Sequence, residues 1–95
     1  MNDATPARRQ IAGAEPFDIG GEAFADVPDG YDGPCRMTCE GAKSRDEAVF
    51  PTYAEAAMAA THAVGVSLGG YHTADLTMAT AAEVTHRTWL DWLCA

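Results

Sequence analysis

The chain is short of basic residues, short of large apolar ones, and lacks any long apolar run. Six Lys and Arg stand against fourteen Asp and Glu, for a formal net charge of −8 at pH 7. That shortage argues against direct binding to nucleic acid or to an anionic membrane, because both require a basic surface. No apolar run is long enough to span a bilayer. Residues 1–10 are polar, with Arg8 and Arg9 but no apolar stretch behind them. A secretory signal is therefore not expected, and a cytoplasmic location is. Three cysteines, an odd and low number, do not make a disulfide framework.

Recognisable catalytic spacing is missing too. Gly69-Gly70 has no following lysine and reads as a hairpin turn, not a phosphate loop. Cys94 is penultimate, and His62 and His86 fall on different expected helices, so nothing orders a nucleophile beside a base. The carboxylates of 15–32 look solvated, whereas a general acid needs an apolar pocket to raise its pKa. An enzyme is not expected, and no cofactor is implied.

What is present suffices for one domain. Ninety-five residues with 47% apolar content can form a single core, but much of that content is alanine. A thin α+β fold is expected, with residues 1–12 as a mobile tail and 13–95 as the domain. About four antiparallel strands are covered by two helices, in the order (α)ββαββα. The first, acidic helix is placed at 16–27, although Gly20-Gly21 interrupts it at a cost of about 2 kcal/mol relative to alanine. An ordered loop anchored by Phe17 and Phe24 is the alternative.

The remaining elements follow from period and capping. Strands are expected at 35–40, with Cys35, Met37 and Cys39 on one face, and at 46–50. Thr52 and Glu55 form a capping box opening a helix at 53–64, closed by Gly65 as a left-handed cap. Its inward face is Tyr53, Ala56, Ala57, Ala60, Ala63 and Val64, with Glu55, Ala59 and His62 outward. Residues 66–68 and 71–78 read as a hairpin, with His72, Ala74, Leu76 and Met78 on one face. Thr80 and Glu83 form a second capping box, opening a helix to about Leu93 that carries Glu83, Arg87 and Asp91 as a charged stripe.

Three constellations could carry function. Six acids (Glu15, Asp18, Glu22, Asp26, Asp29 and Asp32) lie between Gln10 and Cys35 with no Lys or Arg among them. On a helix five of them form one stripe that can pair with a basic patch or occupy a groove built for phosphates. A solvated face that keeps the domain soluble is the plainer reading. Leu90 and Trp92 on the last helix form a second candidate, as a rim for a partner or for a second copy in a homodimer. Cys35, Cys39 and His72 form a third, as metal ligands, but the two cysteines of one strand face lie about 13 Å apart.

In size and charge the chain resembles small acidic proteins of phages and mobile elements, among them anti-CRISPR proteins. Several of those present carboxylates to a nucleic-acid-binding groove. The resemblance implies a non-catalytic inhibitor that engages the basic surface of a protein partner, such as a nucleic-acid-binding complex. A module self-associating through the last helix, and a small metal-binding domain, are the alternatives.

Overall fold

A computed structural model describes residues 8–12, 20–65 and 70–94. The class is α+β, but the sheet is five-stranded and mixed. In chain order the strands are β1 (Arg9–Ala12), β2 (Glu22–Asp26), β3 (Cys35–Glu40), β4 (Arg45–Phe50) and β5 (Thr73–Met78). Helix α1 (Tyr53–Val64) separates β4 from β5, and a short α2 (Trp89–Leu93) ends the described chain. The spatial order is β1-β2-β5-β3-β4. Pairing is antiparallel except between β2 and β5, which run parallel. The strand after α1 thus enters the centre of the sheet instead of extending an edge.

The acidic segment is where sequence and structure part most clearly. Glu22–Asp26 is strand, not helix. Its period is two: Ala23, Ala25 and Val27 are buried, while Glu22, Phe24 and Asp26 face the other way. Helical spacing was suggested by a phenylalanine among acids, which a strand would place on its polar side. The structure does place it there, and the Arg8 guanidinium lies 3.8 Å from the centre of the Phe24 ring. Arg8 also reaches Asp75 at 2.8 Å, so the residue before β1 is linked to both β2 and β5. Arg9–Ala12, placed by the sequence in the tail, form an edge strand on β2.

The helix at 53–64 forms with the expected bounds. The Thr52 hydroxyl accepts from the Glu55 amide at 3.3 Å. The other half of the capping box is replaced, because the Glu55 carboxylate accepts the Trp89 amide at 2.8 Å. Glu55 therefore ties α1 to the first turn of α2. Gly65 closes α1 with φ −71° and ψ 152°, an extended conformation rather than the left-handed one expected. Ala59, expected outside, is buried with Ala56, Ala60, Ala63 and Val64. Methyl groups on this face let the helix lie close on Met37, Phe50 and Leu76, three of the largest fully buried side chains.

The expected helix from 80 to 93 is broken in the middle. A single 3-10 turn at Ala81–Glu83 follows Thr80, and Val84, at φ −59° and ψ 126°, is no longer helical. The Glu83 carboxylate accepts the Thr80 amide at 2.9 Å and the Thr80 hydroxyl at 3.1 Å. The chain then leaves helical geometry because β4 is an edge strand with backbone groups to satisfy. The Thr85 and His86 amides donate to the Val49 carbonyl at 2.9 and 3.1 Å, and the Val49 amide donates to Thr85 Oγ1 at 3.0 Å. Val, Thr and His form helix only weakly, so the edge wins. The chain turns helical again at Thr88, whose own capping box with Asp91 opens α2. The charged stripe dissolves accordingly. Residues 66–69, half of the expected second hairpin, lie outside the described residues.

Glu83 has a different task. Arg36 donates to it at 2.7 Å and holds Glu47 at 2.7 Å through Nε, a contact of charges rather than an aligned hydrogen bond. The Arg36 hydrogen bond, with those of Thr80, lowers the Glu83 pKa to about 2 from an ordinary 4.5. A carboxylate whose pKa is lower in the folded state stabilises the fold fully above its unfolded value. That stability is lost as pH falls toward the folded value. Glu83→Gln is therefore expected to be less stable than the native chain at neutral pH, with the deficit closing between pH 4.5 and about 2. Urea midpoints measured across that range check this, and a deficit independent of pH contradicts it.

Candidate functional site

The sequence-derived site residues fall in three places. Glu15 and Asp18 lie outside the described residues. Glu22 and Asp26 sit on the face of the sheet opposite α1, in register with Thr73 and Thr77 of β5. Asp29 and Asp32 are exposed in the loop that leads from β2 toward β3. Tyr31 orders this loop by donating its hydroxyl to the Pro34 carbonyl at 2.6 Å, and the Asp32 carbonyl accepts the Tyr53 amide at 3.4 Å.

The strand geometry brings Glu22 and Asp26 onto one face and leaves Asp29 and Asp32 beyond its end. The five-acid helical stripe is replaced by this shorter row and its loop. Glu22 takes a long hydrogen bond of 3.4 Å from Gln10. The described ion pairs join Arg8 to Asp75, Arg36 to Glu47 and Glu83, and Arg45 to Glu40. Among the described residues, Asp26, Asp29 and Asp32 thus have no cationic partner.

The metal candidate does not assemble. Cys35 and Cys39 are fully buried beneath α1, whereas His72 precedes β5 and is exposed. Among the described residues no group of three or more His, Cys, Asp or Glu is placed to hold a metal ion. Burial pushes both thiols up to about 11, so they are protonated at neutral pH and serve as small apolar core groups.

Leu90 is half exposed, at 51%. Trp92 is partly buried and packs on the core, with its Nε1 donating to Asp46 Oδ2 at 3.0 Å. Its neighbour Trp89 stacks on His62 with ring centres 4.3 Å apart. Beside Trp92 opens a cleft of about 340 Å³ lined by Asp46, Tyr71, His86, Trp92 and Leu93.

Three of those lining residues, Asp46, Tyr71 and His86, have no sequence spacing in common. They come from β4, from the lead-in to β5 and from the segment that seals the β4 edge. One signal was readable: Asp46 is in phase with Ala48 and Phe50, so a carboxylate stands at an inward-facing strand position.

No family model matches this chain, and no curated protein or solved structure is detectably similar to it. No described helix is long and apolar enough to cross a membrane.

Proposed function

We propose that this chain is a non-catalytic binding protein that presents the carboxylates of β2 and its following loop to a basic surface on a protein partner. A nucleic-acid-binding complex, whose working surface is cationic, is the partner class that fits this charge, and blocking that surface is the activity that follows. The observation that carries the reading is the absence of cationic partners for Asp26, Asp29 and Asp32 among the described residues. Carboxylates left unpaired on a scaffold of net charge −8 keep their field available to a cation.

The test uses an oligolysine peptide as the model basic surface, with affinity measured at low and high salt. Asp26→Asn/Asp29→Asn/Asp32→Asn is expected to bind about tenfold more weakly than the native chain at low salt, with the difference shrinking as salt rises. Glu40→Gln/Glu47→Gln/Asp75→Asn removes the same formal charge elsewhere and serves as control. Equal losses in the two triple variants would mean that only net charge matters, and the reading falls.

A second reading, self-association through α2, is favoured by the exposure of Leu90. Light scattering on a size-exclusion column decides it: a strict monomer at high concentration ends it.

A further inference from the structure

We propose that the cleft between β4 and α2 is a receptor for a single cationic side chain, an arginine presented by the partner. The cleft combines the two kinds of group that recognise a guanidinium: a carboxylate, Asp46, and ring systems, those of Trp92, Tyr71 and His86. All five lining residues are partly buried, so each is held by the fold while still giving surface to the cleft. None of them is Lys or Arg, and the described ion pairs hold Arg8, Arg36 and Arg45 to other carboxylates. Among the described residues, no ion pair joins Asp46 to a Lys or Arg.

The groups are also fixed in advance. Asp46 Oδ1 accepts the Glu47 amide at 2.8 Å, and Oδ2 accepts Trp92 Nε1 at 3.0 Å. An ionised carboxylate has about four acceptor positions, so two remain for a guanidinium. The indole is pinned by the bond that orients the carboxylate, which lowers the ordering cost of binding. His86 Nδ1 lies 2.8 Å from Thr85 Oγ1, and both residues are anchored through their amides to Val49. The Tyr71 hydroxyl interacts with Cys39 and Ser44, and burial first raises the pKa of the phenol, which is neutral. A planar guanidinium can stack flat on a ring while its edge pairs bidentately with a carboxylate, whereas an ammonium offers neither a flat face nor a planar fork and is more strongly hydrated. Arginine is accordingly favoured over lysine.

The cleft lies on the α1 side of the sheet, away from Glu22 and Asp26, so the proposal shares with the function above only the premise of a cationic partner. Its test uses small probes that do not depend on the β2 acids. N-acetyl-arginine amide, N-acetyl-lysine amide and the neutral isostere N-acetyl-citrulline amide are titrated into the native chain. The two indole N–H signals and the backbone amides are followed by NMR. The arginine probe is expected to saturate with a dissociation constant near the millimolar range, about −4 kcal/mol, moving the Trp92 indole and the Glu47 amide but not the Trp89 indole. Lysine is expected to bind several-fold more weakly, and citrulline not to saturate. Asp46→Asn is expected to weaken the arginine probe by about tenfold or more. Shifts that are equal for citrulline and arginine, or that leave Trp92 unmoved, overturn the proposal. The citrulline comparison holds even where the Asp46 variant is poorly folded.

Discussion

Phe50→Ala is expected to remove most of the stability of this domain. Phe50 is fully buried on the inward face of β4, opposite Cys35 of β3, with its ring centre 6.0 Å from that of His86. Truncating a buried phenylalanine costs about 3–5 kcal/mol, part from lost transfer energy and part from the cavity left behind. The upper end applies here because the surroundings cannot collapse into the space. The helix face above is Ala56, Ala59, Ala60 and Ala63, already close to the sheet, and a methyl group cannot reorient to fill a hole. Against a total of about 5–15 kcal/mol for a native domain, the loss is decisive. Thermal melting should show a midpoint lowered by roughly 20 °C, at about 4–8 °C per kcal/mol for a chain of this size. A fall of less than about 5 °C would contradict this account of the core. Leu90→Ala serves as reference, since an exposed site should change stability by no more than about 0.5 kcal/mol.

Gly21→Ala is the second large effect, and its sign opposes intuition. An added methyl ordinarily stabilises a glycine position by about 0.4–1 kcal/mol, by restricting the unfolded chain. At Gly21 a Cβ would fall 2.6 Å from the His72 carbonyl carbon and 2.7 Å from the Tyr71 carbonyl oxygen, and nearer still to the His72 oxygen. All three atoms are backbone, so no rotamer change relieves the overlap. The same residues join β2 to its neighbours: the Gly21 amide donates to Val64 at 2.7 Å, and the Glu22 amide donates to His72 at 2.9 Å. Moving β2 aside would break these bonds and loosen the parallel β2–β5 pairing that begins at Glu22 and Thr73. A loss of about 3 kcal/mol is expected, measured by urea unfolding. Gly30→Ala provides the contrast: its φ of +83° imposes strain, but nothing lies near its Cβ, so a cost of only about 1 kcal/mol is expected.

How much of this was legible beforehand differs sharply between segments. Helix α1 was readable because its signals are local: a threonine N-cap, good helix formers and a glycine stop. Strand β3 was readable because its large residues alternate, and Cys35, Met37 and Cys39 are all buried. Ala74 and Leu76 of β5 likewise face inward as expected, although His72 and Met78, in the same phase, are exposed. Strand β2 was misread because its core side is alanine and its phenylalanine lies on the polar face. Size, the usual marker of burial, pointed the wrong way there.

The candidate sites divide in the same manner. Charge placed attention on the six acids of 15–32; of these, Asp26, Asp29 and Asp32 lack described cationic partners, Glu22 takes a hydrogen bond from Gln10, and Glu15 and Asp18 lie outside the described residues. The cleft was out of reach because Asp46, Tyr71, His86 and Trp92 meet only once three separate segments have docked.

The sequence by itself determined the acidic character, the α+β class, helix α1, strand β3 and the inward set of cysteines. Each depends on interactions within a few residues or on composition summed over the chain. Tertiary structure alone decided that β2 is a strand, that β5 enters the centre of the sheet and that the last helix is cut to five residues. Those outcomes share one physical cause. Backbone groups on β5, β2 and the β4 edge need partners, and the partners are distant in sequence: Glu22 with Thr73, Val49 with Thr85. Hydrogen-bond demand across the sheet outweighed local helical preference, and it carried Trp92 and His86 to the cleft beside Asp46.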